Sequence, residues 1–110
     1  MILYEVNLTI SNEIADEYMA WLKPHIQTML RFEGFIKAEL YENTEHEQGK
    51  TNIVASYYVD NEGNLQSYIN EMSADMRADG IKRFGDKCVA TRRVLKLADS
   101  YTCDEHSTGM

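Results

Sequence analysis

The first ten residues of this 110-residue chain alternate between two kinds of side chain, and this pattern constrains the fold more than any other feature. The apolar set at even positions comprises Ile2, Tyr4, Val6, Leu8 and Ile10. Side chains of a strand point in turn to its two faces, so strict alternation predicts a half-buried β-strand. The intervening positions include Glu5 and Asn7, so the second face should meet something other than an ordinary apolar core. We expect a central strand on which later elements pack.

Two helices are predicted from apolar residues at helical spacing. The first is expected to begin at Asn12, a residue type that favours helix N-caps, and to be kinked or locally broken at Pro24. The second is expected to begin at Asp60 or Asn61 and to be interrupted at Gly80. Each helix has an apolar side that can cover a sheet.

Three further strands are predicted from the same alternation of side chains and from residue types that favour strands. They are predicted over residues 35–42, 52–59 and 87–97. In the first of them, Phe35 and Tyr41 are expected on the same face of the sheet as Glu5, whereas Ile36 is expected on the opposite face. That shared face mixes aromatic, apolar and charged groups, which suits an interface or a ligand cleft better than plain solvent.

The predicted order is therefore β-α-β-β-α-β. This order is typical of a ferredoxin-like α+β fold, in which two helices cover one face of a four-stranded antiparallel sheet. Residues 1–99 are predicted to form a single domain, and the polar tail 100–110 is expected to be mostly disordered. The other face of the sheet is bare in a single copy of the chain.

The charge distribution restricts the partners of this chain. The net charge is −7, which disfavours nucleic-acid binding because phosphate contacts supply most of that affinity. Most of the eleven cations nevertheless lie between residues 77 and 96. Two explanations are open: this segment forms a surface for an anion or acidic partner, or the basic strand pairs with acidic neighbours in its own sheet.

Targeting and redox features favour a cytoplasmic location. No apolar run approaches the roughly 20 residues that span a bilayer, so no membrane segment is expected. Met1 leads directly into the first predicted strand without a secretory signal pattern, and the two cysteines do not suggest a disulfide framework. We therefore expect a cytoplasmic protein with a packed Cys88 in the fourth strand.

Several short segments resemble a small bacterial family with a domain of unknown function. They are the opening Met-Ile-Leu-Tyr-Glu-Val, the Trp21–His25 pair, Gly34-Phe35 and the closing Ala-Thr-Arg-Arg-Val-Leu at 90–95. That family is similar to the dimeric α/β-barrel superfamily, in which two ferredoxin-like sheets meet through their bare faces. The resemblance implies a homodimer. It leaves the activity open, because the superfamily includes cofactor-free oxygenases, haem-degrading enzymes, muconolactone isomerases and stress-response proteins.

Two pairs of residues are candidates for chemistry. Trp21 and His25 are four residues apart and share one helix face, so His25 could act as a general base or ligand beside the indole, or the two could simply pack together. Arg92 and Arg93 must point to opposite faces of their strand. One of them should therefore reach the face of Glu5, where it either clamps an anionic ligand or pairs with that carboxylate. The candidate ligand-binding residues are Tyr4, Glu5, Trp21, His25, Arg92 and Arg93.

Metal, cofactor and nucleic-acid sites are not expected. His25, His46 and His106 are widely separated, and the sequence has no Cys-x-x-Cys pair and no glycine-rich phosphate loop. RNA-recognition modules share the predicted order of elements, but their third strand carries a glycine and stacking aromatics at a set spacing. The third strand here, residues 52–59, lacks that pattern.

Three functional hypotheses follow. The first is a homodimeric small-molecule-binding or accessory protein, with a cleft between facing sheets for a small anionic or aromatic ligand. The second is a cofactor-independent oxygenase or isomerase, which requires Trp21, His25 and either Arg92 or Arg93 to meet at one pocket. The third is a purely structural dimerisation domain.

Overall fold

A computed structural model describes residues 1–45 and 47–103. The strands are β1 (Ile2–Ser11), β2 (Phe35–Glu42), β3 (Lys50–Val59) and β4 (Cys88–Lys96). The helices are α1 (Ala15–Met29), α2 (Glu62–Glu71) and α3 (Ser73–Phe84). All four strands form one antiparallel sheet in the order β2-β3-β1-β4, with β1 and β3 at its centre. The ferredoxin-like α+β fold predicted from the sequence is confirmed. Outside the described residues lie two of the three histidines, His46 and His106, and most of the tail predicted over 100–110.

One hydrophobic core lies between the sheet and the helices. The even positions of β1 are all buried, which confirms the face predicted from their alternation. Opposite them, β3 contributes Ile53, Ala55, Tyr57 and Val59, and the helices contribute Tyr18, Leu22, Ile26, Met29, Leu65, Tyr68 and Phe84. The odd positions of β1 are only partly buried and lie on the open face, which the helices leave uncovered.

The predicted face of Phe35 is wrong. The pairing of β2 with β3 shifts between Phe35 and Lys37, so one extra residue is accommodated at this point. A bulge of this kind changes which side chain points to which face. Phe35 is consequently 8% exposed in the core, where its ring lies 5.3 Å from that of Tyr68, while Ile36 is 53% exposed. The rest of β2 keeps the predicted alternation, with Tyr41 on the open face.

The start and course of α1 also differ from prediction. A short 3₁₀ turn over Asn12–Ile14 precedes the helix, and the Asn12 side chain accepts a hydrogen bond from Thr51 Oγ1 at 2.6 Å instead of capping α1. Pro24 lies inside α1, which is one continuous element from Ala15 to Met29. The missing N–H of Pro24 therefore does not break this helix, whose buried side packs on the sheet.

The second helical stretch is divided at Met72, not at Gly80. Asn61 caps α2 as predicted, because its side-chain oxygen accepts the backbone N–H of Asn64 at 2.8 Å. Met72 leaves the helical region with φ −121°, and α3 then runs through Gly80 to Phe84. A single interior glycine costs a helix only about 1 kcal/mol, which packing can offset. No helix among the described residues has the length and apolar character needed to cross a membrane.

Candidate functional site

A cavity of about 310 Å³ lies between the helix-facing side of the sheet and helices α1 and α3. The strands contribute Tyr4, Val6, Leu8, Ala55, Tyr57, Cys88, Ala90 and Arg92 to its walls. The helices contribute, among others, Tyr18, Trp21, His25, Tyr68, Met76, Arg77 and Gly80. A concave, largely apolar site of this volume with a few polar groups is typical of small-molecule pockets.

Aromatic rings form one wall of the cavity. The ring of Tyr4 lies 6.1 Å from that of Tyr57 and 6.1 Å from that of Tyr68, between centroids. Burial raises the pKa of Tyr68 to about 12 and also raises the pKa of Tyr57, so both phenols are neutral near pH 7. The wall therefore offers apolar ring surface and hydroxyl groups that can hydrogen-bond.

Trp21 is held in place from three sides. Its ring stacks on His25 with centroids 4.5 Å apart, and its indole Nε1–H donates to Asp79 Oδ2 at 2.7 Å. Gly80 lies beneath the indole: a Cβ there would come within 2.9 Å of Trp21 Cη2. The helical spacing predicted that Trp21 and His25 are neighbours, and the structure places them so. The glycine that the sequence suggested as a helix break instead allows α3 to approach the indole.

His25 lies at the cavity with its pKa lowered. Burial disfavours the charged imidazolium, and this effect exceeds the opposing influence of Asp79; Arg92 lowers the pKa further. His25 is therefore neutral near pH 7, since its ordinary pKa is already 6.5. A neutral imidazole has one nitrogen free to accept a proton or hydrogen bond.

Arg92 and Arg93 lie on opposite faces of the sheet, as predicted. Arg92 is on the helix-facing side and lines the cavity. Arg93 is on the open face, where its Nε donates to Glu5 Oε1 at 2.7 Å, and Asn7 Nδ2 donates to the same oxygen at 3.0 Å. These bonds, that of Arg93 first, lower the pKa of Glu5. The predicted site residues thus divide: Tyr4 joins Trp21, His25 and Arg92 at the cavity, whereas Glu5 and Arg93 belong to the open face.

The open face carries its own polar network. Tyr41 donates its hydroxyl to Glu39 Oε1 at 2.9 Å, which lowers the pKa of Glu39 and raises that of Tyr41 to about 12. The ammonium of Lys37 lies 4.8 Å from the ring centroid of Tyr58. In the cation-rich segment 77–96, Arg93 is likewise paired with Glu5 of the adjoining strand. Part of the positive charge of that segment is therefore compensated within the sheet.

Arg77 is a cavity residue that sequence reasoning missed. It lies on α3, and its Nη2 donates to the Tyr4 hydroxyl at 3.3 Å. The available signal was its position four residues after Ser73 and seven before Phe84, both of which are buried in α3. A cation in the buried stripe of an amphipathic helix needs a partner inside the protein. No group of three or more potential metal-ligating His, Cys, Asp or Glu residues occurs in the described part of the chain.

Solved structures with the same fold include enzymes. SnoaB, a cofactor-independent oxygenase from Streptomyces nogalater, aligns over 90% of this chain and 95% of its own with a TM-score of 0.64 and 10% identity. A Deinococcus radiodurans protein described as a candidate antibiotic biosynthesis monooxygenase aligns over 94% and 98%, with a TM-score of 0.74 and 14% identity. Rv0793 from Mycobacterium tuberculosis aligns over 93% and 100%, with a TM-score of 0.63 and 16% identity. At these identities the likeness establishes the fold alone.

No curated protein matches this sequence. One family model does match, and its family has no assigned function. The match extends over residues 1–98, from before β1 to just after β4. The chain belongs to the family described as Domain of unknown function (DUF4286).

Proposed function

We propose that this protein binds a small aromatic molecule in the cavity between the sheet and helices α1 and α3. The observation that carries the proposal is the 310 Å³ cavity lined by Tyr4, Trp21, Tyr57 and Tyr68 together with a few polar groups. Aromatic rings pack favourably against one another in offset or edge-to-face arrangements, so a flat aromatic ligand matches these walls better than an aliphatic one. The position differs from the cleft between facing sheets that the sequence suggested.

The architecture supports selective binding because the walls are fixed before a ligand arrives. Trp21 is held by stacking on His25 and by its hydrogen bond to Asp79. Tyr4 lies on the central strand β1 and accepts a hydrogen bond from Arg77. Because these side chains are already ordered, binding costs little conformational entropy, and more of the favourable contact energy contributes to affinity.

A cavity-filling variant tests the proposal. Ala90 lines the cavity from β4, whereas the next residue, Thr91, points to the open face. Isothermal titration calorimetry with 2-naphthamide, a neutral aromatic probe, should detect binding to the wild type and to Thr91→Leu but not to Ala90→Leu. Because Trp21 is the single tryptophan, its indole N–H resonance should shift with the same affinity. Absence of wild-type binding both for 2-naphthamide and for its carboxylate analogue 2-naphthoate, or undiminished binding to a folded Ala90→Leu variant, would refute the proposal.

A second candidate function is a cofactor-independent oxygenase or isomerase. The specific observation in its favour is that Trp21, His25 and Arg92 line one cavity, with His25 neutral and able to accept a proton. The same fold is found in SnoaB, a cofactor-independent oxygenase. A general base could deprotonate a bound phenol, and the resulting anion would lie between the indole and a guanidinium.

The catalytic reading predicts enzyme-dependent oxygen uptake with 1,4-dihydroxynaphthalene, above its spontaneous oxidation. His25→Gln should lower that rate roughly 100-fold or more, because positioned general bases contribute about that much. Lys23→Gln, an exposed change on the same helix, should leave the rate unaltered. Binding of naphthalene probes without oxygen uptake would support the binding function and argue against the oxygenase.

The open face supports a third element of the proposal, a homodimer. Val89 and Leu95 are on this face with 56% and 38% of their surfaces exposed, and Leu95 pairs with the partly exposed Leu3. Apolar side chains on an uncovered sheet face favour burial against another surface, and the family resemblance implies a second copy. Leu95→Glu should convert a dimer to a monomer in native mass spectrometry, whereas Leu40→Glu on the helix-facing side of β2 should not. A monomeric wild type would leave the open face without this role.

A further inference from the structure

The charge of the cavity is opposite to that of the whole protein. Arg77 and Arg92 both line it, and no Asp or Glu is among the described residues of its walls. The chain as a whole has a net charge of −7. Two guanidinium groups that line one cavity without a lining carboxylate favour an anionic occupant, because both positive charges attract it.

Arg77 is incompletely hydrogen-bonded within the protein. Its Nη2 donates to the Tyr4 hydroxyl at 3.3 Å, which is a long hydrogen bond. Its Nε is buried and has no hydrogen-bond partner, and it is the only such side-chain atom in the part of the chain that the structure describes. Buried donors are nearly always paired in folded proteins, so an unpaired Nε–H on a residue that lines the cavity favours an acceptor supplied from the cavity, to which a small rotation of the side chain would present it.

We propose that Arg77 is the carboxylate-binding residue of the cavity, and that the ligand is an aromatic carboxylate. The proposal rests on the proposed binding function and specifies the class of ligand. The Nε and Nη2 edge of a guanidinium presents two parallel N–H groups that match the two oxygens of a carboxylate. Arg92 adds a second positive charge from β4, and the rings of Tyr57 and Tyr68 receive the aromatic part.

A pair of probes of nearly equal shape separates this inference from the function on which it rests. 2-Naphthoate carries the carboxylate, and 2-naphthamide replaces it by a neutral amide. Calorimetric titration of the wild type should give tighter binding for 2-naphthoate. Arg77→Gln should weaken 2-naphthoate binding about tenfold to hundredfold, the usual range for a hydrogen bond to a charged group, while 2-naphthamide affinity changes less than about threefold. Lys82→Gln, an exposed position on the same helix, should change neither affinity.

Each remaining outcome decides the matter. If both probes bind but Arg77→Gln leaves their affinity ratio unaltered, or if Arg92→Gln alone abolishes the preference for 2-naphthoate, the role of Arg77 is refuted while the binding function stands. If neither probe binds the wild type, both proposals fall. Should circular dichroism show that Arg77→Gln does not fold, Arg77→Lys keeps the charge without the Nε–H. That variant should still lose most of the preference, and an unchanged preference would refute the side-on contact.

Discussion

Replacement of Gly80 by alanine sets two effects of opposite sign against each other. In the middle of α3, alanine favours the helix over glycine by about 1 kcal/mol. The added Cβ, however, would lie 2.9 Å from Cη2 and 3.2 Å from Cζ2 of Trp21, inside ordinary van der Waals separation. Overpacking of this kind costs about 1–3 kcal/mol when the neighbour cannot move.

Trp21 has little freedom to move away. Its indole Nε1 is bonded to Asp79, the residue that precedes Gly80, so the helix that delivers the new methyl group also holds the ring. Stacking on His25 at 4.5 Å and packing against Tyr18 at 5.4 Å restrict it on other sides. The clash should outweigh the helix propensity, and we expect Gly80→Ala to lower the free energy of unfolding by up to about 2 kcal/mol.

A double-mutant cycle in urea denaturation measures the two effects separately. In a Trp21→Phe background the shorter ring removes the clash, so Gly80→Ala should stabilise by about 0.5–1 kcal/mol. Ala78→Gly, on the exposed side of α3, calibrates helix propensity in this host. Stabilisation of the wild type by Gly80→Ala, with no coupling to position 21, would show that the close contact between α3 and the indole is wrong.

Three further perturbations have defined expected outcomes in denaturation experiments. Asn61→Ala should lower the free energy of unfolding by about 1 kcal/mol, because it removes the α2 cap. Glu5→Gln should lower it by up to about 1 kcal/mol near pH 7, since the pair with Arg93 is partly exposed. The folded pKa of Glu5 is lowered, so its contribution is present above the ordinary value of 4.5 and is lost as pH falls through the folded pKa. His25 has a folded pKa below 6.5, so the unfolded chain binds the proton first and the wild type should lose stability as pH falls below 6.5; His25→Gln should show a shallower decline.

Each of these predictions has a matched control. Asn70→Ala, on the exposed surface of α2, should cost less than Asn61→Ala, and equal costs would contradict the capping role. Glu71→Gln should not reproduce the pH-dependent loss of Glu5→Gln, and a Glu5→Gln deficit that persists unchanged at low pH would contradict the ion pair. Equal pH profiles for the wild type and His25→Gln would place the imidazole in solvent.

Strict alternation made β1 predictable, and the same rule placed Arg92 and Arg93 on opposite faces. The rule fails at Phe35 because alternation assumes an unbroken ladder. The local pattern contains nothing that distinguishes Phe35 from Ile36 as the inward residue. Aromatic rings that are remote in sequence determine which residue is buried. The Phe35 ring packs with those of Tyr57 and Tyr68, at centroid distances of 6.1 Å and 5.3 Å, and the bulge is the backbone adjustment that allows this packing.

The candidate site was only partly predictable for a related reason. Helical spacing brings Trp21 and His25 together, because it is a local property of α1. A cavity is a property of how α1, α3 and the sheet fail to fill the space between them, and no single segment encodes it. Gly80 illustrates the difference: read along the sequence it is a helix breaker, whereas in the fold it is the space into which an indole packs.

The two proposed sites, the ligand cavity and the dimer face, lie on opposite sides of the same sheet. Tyr4 and Glu5 are consecutive in β1, yet one lines the cavity and the other pairs with Arg93 on the open face. Arg92 and Arg93 repeat this arrangement in the adjoining strand. Substitutions on the open face should therefore remove no direct ligand contact, and cavity substitutions should remove no dimer contact. A dimer formed on the open face would nevertheless cover one side of β1 and β4, so it would restrain the backbone that carries Tyr4 and Arg92. Ligand affinity is then expected to be higher in the dimer than in a Leu95→Glu monomer. The reason is that the backbone of the dimer is already restrained, so ligand binding costs less conformational entropy.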